Sequence, residues 1–456
     1  MPHLLKQEIN ALARLSGPIT MTFLLQIAAG VLDTIMSGHY SAKDLAGVSI
    51  GSNILLPMLL ASVGLAMGLV PIVAQANGAK HYKQVFRAVY QAFWIAVISS
   101  AVICVVLINI ESFLFLFDIN KQIRRVTSGY LQAICFGIPA LLVYSVLRSY
   151  TEGLSLTRPA LLAGIISLIA NAALNYILIY GKLGFPALGG VGCGWATAVA
   201  YWISCIFMVC YIIFSRSFSA GYLFGHFFSP NWIQIQEQIK LGLPISIKFL
   251  IQAGAFTLIT LSLSRYGATV VAAHHITANI AVLASAFWAG ITQALTIRVG
   301  HFLGLNRPSA ARLSACIGVC LGAIYGVVGA IGLFYLATPV AALYTSDIAI
   351  RSLTVELLSI GALYLMVASI HDVSAGALRG YKDTKVPLLL VIFSLWVISL
   401  PLGYSLGMTN VIVQAWGAKG FWAGLLVGMS IAALLMINRL RRVSNRVVHS
   451  MPYNIF

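Results

Sequence analysis

The sequence predicts an all-α membrane protein with about twelve membrane-spanning helices, arranged as two repeats of six. Three observations lead to this prediction: the composition, a series of long apolar runs, and an internal duplication. Of the 456 residues, 60% are hydrophobic and only 9% are charged. A soluble domain carries about 25% charged residues, so this composition indicates that most of the surface faces lipid.

The apolar runs recur along the whole chain. Uncharged stretches such as 88–107, 159–179, 193–214 and 386–406 are each long enough to cross about 30 Å of hydrocarbon as a helix. A membrane barrel would instead show alternating segments of roughly ten residues. The runs therefore predict helices near residues 14–38, 46–75, 88–110, 128–150, 159–181, 190–214, 241–264, 268–298, 313–336, 352–376, 386–406 and 414–437.

The basic residues are distributed unevenly between the two sides of the predicted membrane. With an even helix count, the termini share one side with five connections, and that side carries 19 of the 28 Lys and Arg residues against 8 on the other. By the positive-inside rule both termini are cytoplasmic. We therefore expect a multi-pass protein of the bacterial inner membrane. Its net charge of +17 is expected to interact with membrane lipids and not with nucleic acid.

The internal duplication gives the chain two halves. Residues 18–46 match 244–272 at a constant offset of 226, with 11 identities in 29 positions, where chance would give about two or three. Residues 152–159 match 379–387 with one residue inserted. Matching segments cross in the same direction, so the repeats are parallel. The expected domains are an N-lobe at 1–214, a cytoplasmic linker at 215–240 and a C-lobe at 241–456.

Several strings carry a family resemblance. The first half contains GVLDTIMSGHYSAKDLAGVSIG, PIVAQANGAK and LRSYTEGLSLTRP, and the second contains VAAHHITAN, TIRVGHFLG and AGALRGYKDTK. Together they resemble the multidrug and toxic compound extrusion (MATE) family, specifically its NorM-like branch, over nearly the whole chain. The resemblance implies a V-shaped pair of six-helix lobes. It also implies a cation antiporter that exports amphiphilic, often cationic, small molecules by alternating access, and we expect it to act as a monomer.

Only three acidic residues fall inside the predicted helices: Asp33, Glu356 and Asp372. A charge in hydrocarbon is costly, so such acids face protein or a water-filled cavity and are candidates for function. Asp33 has no basic residue within one turn to neutralise it. It is either a neutral, hydrogen-bonded structural residue or a carboxyl that binds H+ or Na+ during transport. The resemblance implies the second role.

Polar residues on other helices are candidates to surround this acid. Asn171 and Asn175 lie four residues apart and so share one helix face. Such a pair can simply hydrogen-bond neighbouring membrane helices. The resemblance instead places both residues, together with Thr197, beside the first-helix acid in a cation- or proton-binding site. Gln26, two turns before Asp33, is a further candidate for the same cavity.

The second half departs from the family pattern. The resemblance implies a glutamate in the seventh helix and an aspartate in the tenth, where this chain has Gln252 and Ala368. His371 and Asp372, one turn further on, form either a secondary titrating site or solvated polar lining at the cytoplasmic end. Lys248 is expected to extend toward the interface. With two acids missing, we expect H+ rather than Na+ to drive export.

Other function classes fit less well. The chain contains no G-x-x-x-x-G-K-[ST] motif, and His274 and His275 lack a third ligand at metal spacing. We therefore expect a protein that is not an enzyme and needs no cofactor or metal. A lipid-linked oligosaccharide flippase would line its cleft with several basic residues, whereas only Lys248 lies away from the helix ends. An exporter of an endogenous metabolite remains an alternative, and a channel or receptor accounts less well for the duplicated halves.

Overall fold

The computed structural model describes residues 2–115, 120–215, 228–410 and 414–450, which are almost entirely helical. A 3₁₀ turn covers Ser264–Tyr266 and a π-helical segment covers Phe393–Ser399. The α-helices, in chain order, are α1 Pro2–Tyr40, α2 Ala42–Met67, α3 Leu69–Gly78, α4 Tyr82–Ile108, α5 Ile110–Leu114, α6 Lys121–Cys135, α7 Ile138–Gly153, α8 Arg158–Tyr180, α9 Gly190–Phe214, α10 Trp232–Leu263, α11 Ala268–Gly304, α12 Pro308–Tyr344, α13 Ile348–Gly380, α14 Lys385–Ile392, α15 Leu400–Met408 and α16 Ala418–Ser450.

Eleven helical stretches among these described residues are long and apolar enough to cross a membrane. Helices α6 and α7 form a twelfth when counted together, bent by 49° where the sequence predicts one straight helix at 128–150. Pro139 causes this break because it has no N–H to continue the hydrogen-bond ladder of α6. The predicted all-α membrane fold with about twelve helices is confirmed.

The backbone repeats the duplication seen in the sequence. Lys80 and Asn306, which are related by the repeat offset, both adopt left-handed conformations, with φ of 59° and 56°. Ser155 and Lys382, whose spacing exceeds that offset by one position, do the same, with φ of 65° and 61°. Non-glycine residues rarely occupy this region. The same turns therefore recur at equivalent places, with an offset of 226 at the first pair and 227 at the second.

The structure divides into two compact units. The N unit comprises residues 21–246, and the C unit comprises residues 1–20 together with 247–456. The boundaries after Thr20 and after Ser246 are again related by the repeat offset, so they fall at the same position in both repeats. Helices α1 and α10 consequently each contribute residues to both units. Of the expected linker at 215–240, residues 216–227 lie outside the described part of the chain.

Small residues allow close helix packing inside the C unit. Gly420, Gly424 and Gly428 form a stripe at four-residue spacing on α16, facing α15 and the π-helical segment. A Cβ atom at Gly424 would lie 2.6 Å from the Gly403 backbone. Membrane helices pack through such stripes because burial of apolar surface gives them little driving force in lipid.

Candidate functional site

Three helices of the N unit bring the predicted polar residues together. Asn175 on α8 donates from Nδ2 to Asp33 Oδ1 on α1 at 2.6 Å, and Thr197 on α9 donates from Oγ1 to Asp33 Oδ2 at 3.2 Å. Asn171 Nδ2 donates to Thr197 Oγ1 at 3.3 Å, and Asn175 Nδ2 also reaches Asn171 Oδ1 at 3.1 Å. These four residues, the N-unit cluster, form one connected network around the carboxylate.

The N-unit cluster is closed on one side and open on the other. Asn175, Asn171 and Thr197 are 0%, 3% and 8% exposed, whereas Asp33 is partly exposed. The four-residue spacing of the asparagines places both on the buried face of α8. Asp33 is therefore the member of the cluster that a small ion can approach, while its three partners are covered by protein.

Only neutral groups surround the carboxylate. Among the described residues, no Lys, Arg or His forms an ion pair with Asp33, although a charge inside the membrane normally finds a partner. The buried Asn175 Oδ1 has no hydrogen-bond partner in the described residues either. The N-unit cluster thus combines a carboxyl group that has no counterion among the described residues with an amide oxygen that has no hydrogen-bond partner there, which suits a proton or a small cation.

Gln26 lies apart from this network. It is exposed on α1, seven residues before Asp33. No hydrogen bond joins it to the N-unit cluster in the described part of the chain.

A second charged group occupies the C unit. Asp372 on α13 accepts from Lys248 Nζ on α10 at 2.8 Å and from Trp288 Nε1 on α11 at 3.0 Å. His371 is fully buried, and its Nδ1 lies 3.1 Å from Asp372 Oδ1. We call these four residues the C-unit cluster. The ammonium group of Lys248, which the sequence analysis expects near the interface, has the carboxylate of Asp372 as its counterion.

The charged pair is displaced from the two positions where the family resemblance implies acids. Gln252 is partly exposed and Ala368 is 3% exposed. Lys248 lies one turn nearer to the start of α10 than Gln252, and Asp372 lies one turn nearer to the end of α13 than Ala368. The C unit therefore carries a lysine and an aspartate one turn away from the expected pair of acids.

A further buried ion pair, between Glu8 and Arg298, was not predicted from the sequence. Glu8 on α1 is 7% exposed and accepts from Arg298 Nε at 3.0 Å, from Arg298 Nη2 and from Ser314 Oγ at 2.7 Å. All three residues belong to the C unit. Glu8, Leu12 and Ile19 are spaced so that they share one helix face, and Leu12 and Ile19 are buried. This spacing could have extended the first helix to residues before its predicted start at 14.

Comparison with known proteins gives consistent matches. The model of the MatE family matches twice, at residues 18–177 and 244–405. The two matches begin at Pro18 and at Pro244, which reproduces the offset of the internal duplication.

Curated relatives match over nearly their full length. The chain is 37% identical to the probable multidrug resistance protein NorM of Idiomarina loihiensis, covering 97% of this chain and 96% of that protein. It is 38% identical to the multidrug resistance protein NorM of Vibrio cholerae, covering 96% of each. Among solved structures, a MATE transporter in the bent conformation gives a TM-score of 0.89 at 20% identity and 99% coverage of both chains. An outward-facing MATE family transporter gives 0.88 at 19% identity and 98% coverage of both.

Proposed function

Because this chain belongs to the MatE family, we propose that it is a secondary transporter that exports amphiphilic, often cationic, small molecules in exchange for H+. Its curated relatives are named multidrug resistance proteins, and the alignments leave only a few per cent of either chain unmatched. Alternating access by two repeated bundles supplies the physical basis for exchange. The substrate range is proposed from these names and from the partly exposed carboxylate described above.

The observation that carries the proposal is the uncompensated carboxylate of Asp33. An ionised Asp33 attracts a cationic substrate, whereas a proton on the same carboxyl removes that attraction. Asn175 and Thr197 keep the carboxyl in place in either state, since both can hydrogen-bond to it. The free Asn175 Oδ1 offers an acceptor to the protonated carboxyl after rotation of the amide. Proton and substrate then bind alternately, which is the requirement for antiport.

The C unit supports H+ over Na+ as the coupling ion. A sodium site needs several oxygen ligands and usually a carboxylate to balance the ion's charge. Gln252 and Ala368 supply at most one side-chain oxygen between them. Asp372 is already bound by Lys248, so it offers little free charge to a second cation. In this proposal His371 and Asp372 have at most a secondary part in proton exchange.

Topology and assembly follow from the same picture. The concentration of basic residues on one side supports cytoplasmic termini in the bacterial inner membrane. Each chain contains both repeats and a complete N-unit cluster, which supports a monomer as the working unit.

Transport by vesicles with imposed gradients tests the proposal. Wild-type protein should expel a fluorescent organic cation when only a pH gradient is present, with choline replacing Na+. Asp33→Asn should insert and fold normally but lose gradient-driven export, because it keeps the size and most hydrogen bonds of the side chain without its charge. Glu356→Gln is the matched control, since Glu356 is an exposed acid paired with Lys419.

Two results would contradict the proposal. Full export by Asp33→Asn would make Asp33 a structural residue. Export driven by a Na+ gradient at fixed pH, with none driven by a pH gradient, would show that the N-unit cluster binds Na+ instead.

A further inference from the structure

The C-unit cluster contains an ion pair that is accessible despite its place among membrane helices. The side chains of Lys248 and Asp372 keep 12% and 25% of their surface exposed. Charged groups at this level of a membrane protein normally face the protein interior or a water-filled space rather than lipid. We take the exposed fraction of both side chains to face such a water-filled space, where a solute reaches both charges.

This ion pair is distinct from the acid proposed for proton coupling. The repeat offset of 226 makes residue 259 on α10 equivalent to Asp33 on α1, and Lys248 lies 11 residues before it. At ~1.5 Å per residue, Lys248 lies ~16 Å closer to the start of α10 than the residue equivalent to Asp33. Under the proposed topology the displacement is toward the cytoplasm, the side from which exported compounds arrive.

The charges around the pair favour a ligand that carries a negative group. Arg379 lies two turns after Asp372 on the same face of α13, is 7% exposed and donates from Nη1 to Gln293 Oε1 at 3.3 Å. Lys248 and Arg379 together outnumber the single carboxylate of Asp372. A purely cationic ligand would therefore enter a region that already has an excess of positive charge.

Aromatic rings adjoin the pair: Trp288 is buried beside it, and the partly exposed Tyr325 and the exposed Phe287 next to Trp288 offer a surface for a flat apolar body. Trp288, which donates to Asp372, makes an edge contact with Tyr325 at 6.3 Å between centroids. Tyr325 in turn stacks on Phe287 at 5.7 Å, and Phe287 is 43% exposed. Such rings hold aromatic ligands through offset and edge-to-face contacts.

We propose that Lys248 and Asp372 form a binding subsite for zwitterionic aromatic amphiphiles, which exchange partners with the ion pair. The cationic group of the ligand pairs with Asp372 and the carboxylate of the ligand pairs with Lys248, so both protein charges stay paired. A monocation would displace Lys248 and leave it without a counterion, and a monoanion would do the same to Asp372. Leaving one member of an ion pair that is only partly exposed without its partner is costly, so the subsite selects against both.

This inference rests on the proposed export of amphiphiles, yet its test is independent of ion coupling. Equilibrium binding to purified full-length protein in detergent needs no gradient. A failure of H+ coupling would appear only in vesicles, whereas a failure of the subsite would appear in the binding ratio. The probes are tetramethylrhodamine, a zwitterion with a free carboxylate, and its methyl ester, which has the same ring system and only the positive charge.

Fluorescence anisotropy titrations should show wild-type protein binding the zwitterion about tenfold more tightly than the ester. Lys248→Met should weaken zwitterion binding about tenfold and strengthen ester binding, which reverses the preference. The double variant Lys248→Met with Asp372→Asn removes both charges and should bind the two dyes about equally. The charge exchange Lys248→Asp with Asp372→Lys restores a pair and should restore the preference. Lys419→Met, in an exposed ion pair, is the control and should match wild type.

The double and exchange variants keep the test decisive if the single variant fails to fold, because neither leaves position 248 or position 372 charged without an opposite charge at the other. A wild-type protein that binds the two dyes equally would overturn the inference. A double variant that keeps the full preference for the zwitterion would overturn it as well, since the selectivity would then arise elsewhere in the protein.

Discussion

Loss of the Glu8 carboxylate should destabilise the C unit by several kcal/mol. Glu8 joins the first turns of α1 to α11 and α12 through Arg298 and Ser314. The change Glu8→Ala removes all three hydrogen bonds that its carboxylate accepts and leaves the guanidinium of Arg298 without its acidic partner. Helix α1 itself should persist, since alanine is the best helix former.

The magnitude follows from burial and charge. Removing one partner of a buried ion pair costs about 3–5 kcal/mol. The Arg298 side chain is 21% exposed and lies 4.4 Å from the centroid of the Phe302 ring, so water and the ring compensate part of that loss. We therefore expect ~3 kcal/mol, which for a unit of about 200 residues lowers the unfolding midpoint by about 6–12 °C.

Thermal unfolding of purified protein in detergent, followed by tryptophan fluorescence, measures the effect. Glu111→Ala is the control, because Glu111 is an exposed acid on the short helix α5 and its loss should change stability by less than about 0.5 kcal/mol. Adding Arg298→Ala to Glu8→Ala should cost less than the two single changes together, with a coupling of at least ~1 kcal/mol. A Glu8→Ala midpoint within ~2 °C of the Glu111→Ala midpoint, or strictly additive single changes, would refute this reasoning.

Three further outcomes are expected. Tags at either terminus should react with impermeant reagents only from the cytoplasmic side of the membrane, and labelling from the outside would overturn the even helix count. Introducing acids with Gln252→Glu and Ala368→Asp together should raise the Na+ dependence of export, measured by comparing export in Na+ with export in choline. An unchanged Na+ dependence would contradict the proposal that the C unit lacks a Na+ site because these two acids are absent. Gly424→Leu should lower the unfolding midpoint by several degrees because its Cβ would meet the Gly403 backbone, whereas Gly329→Leu, with open space around its Cβ, should not.

The fold was largely predictable because each membrane-spanning helix requires a long apolar run that can be seen directly in the sequence. Each span requires about 20 apolar residues, and the runs satisfied that requirement at every predicted position. Features that do not change the apolar runs were not predicted. Apolar periodicity does not report the bend at Pro139, and it placed the start of the first helix at residue 14 rather than at Pro2.

The polar clusters were predictable to different degrees for a similar reason. The four-residue spacing of Asn171 and Asn175 fixes a common helix face, whereas their position beside Asp33 came from the family resemblance. The pairing of Lys248 with Asp372 joins helices 124 residues apart. Such a contact depends on how the helices pack against one another, and no local spacing encodes that register.

The division of α1 between the units has a consequence for biosynthesis. Residues 21–246 emerge from the ribosome as one continuous stretch, so the N unit is complete before most of the C unit has been made. Glu8 is synthesised before the whole of the N unit, yet its partner Arg298 follows 290 residues after it. Because domains generally form in the order of their synthesis, we expect the first turns of α1 to stay without these partners until the second half has been inserted. Completion of the C unit is then a step that follows insertion and brings the first turns of α1 against α11 and α12.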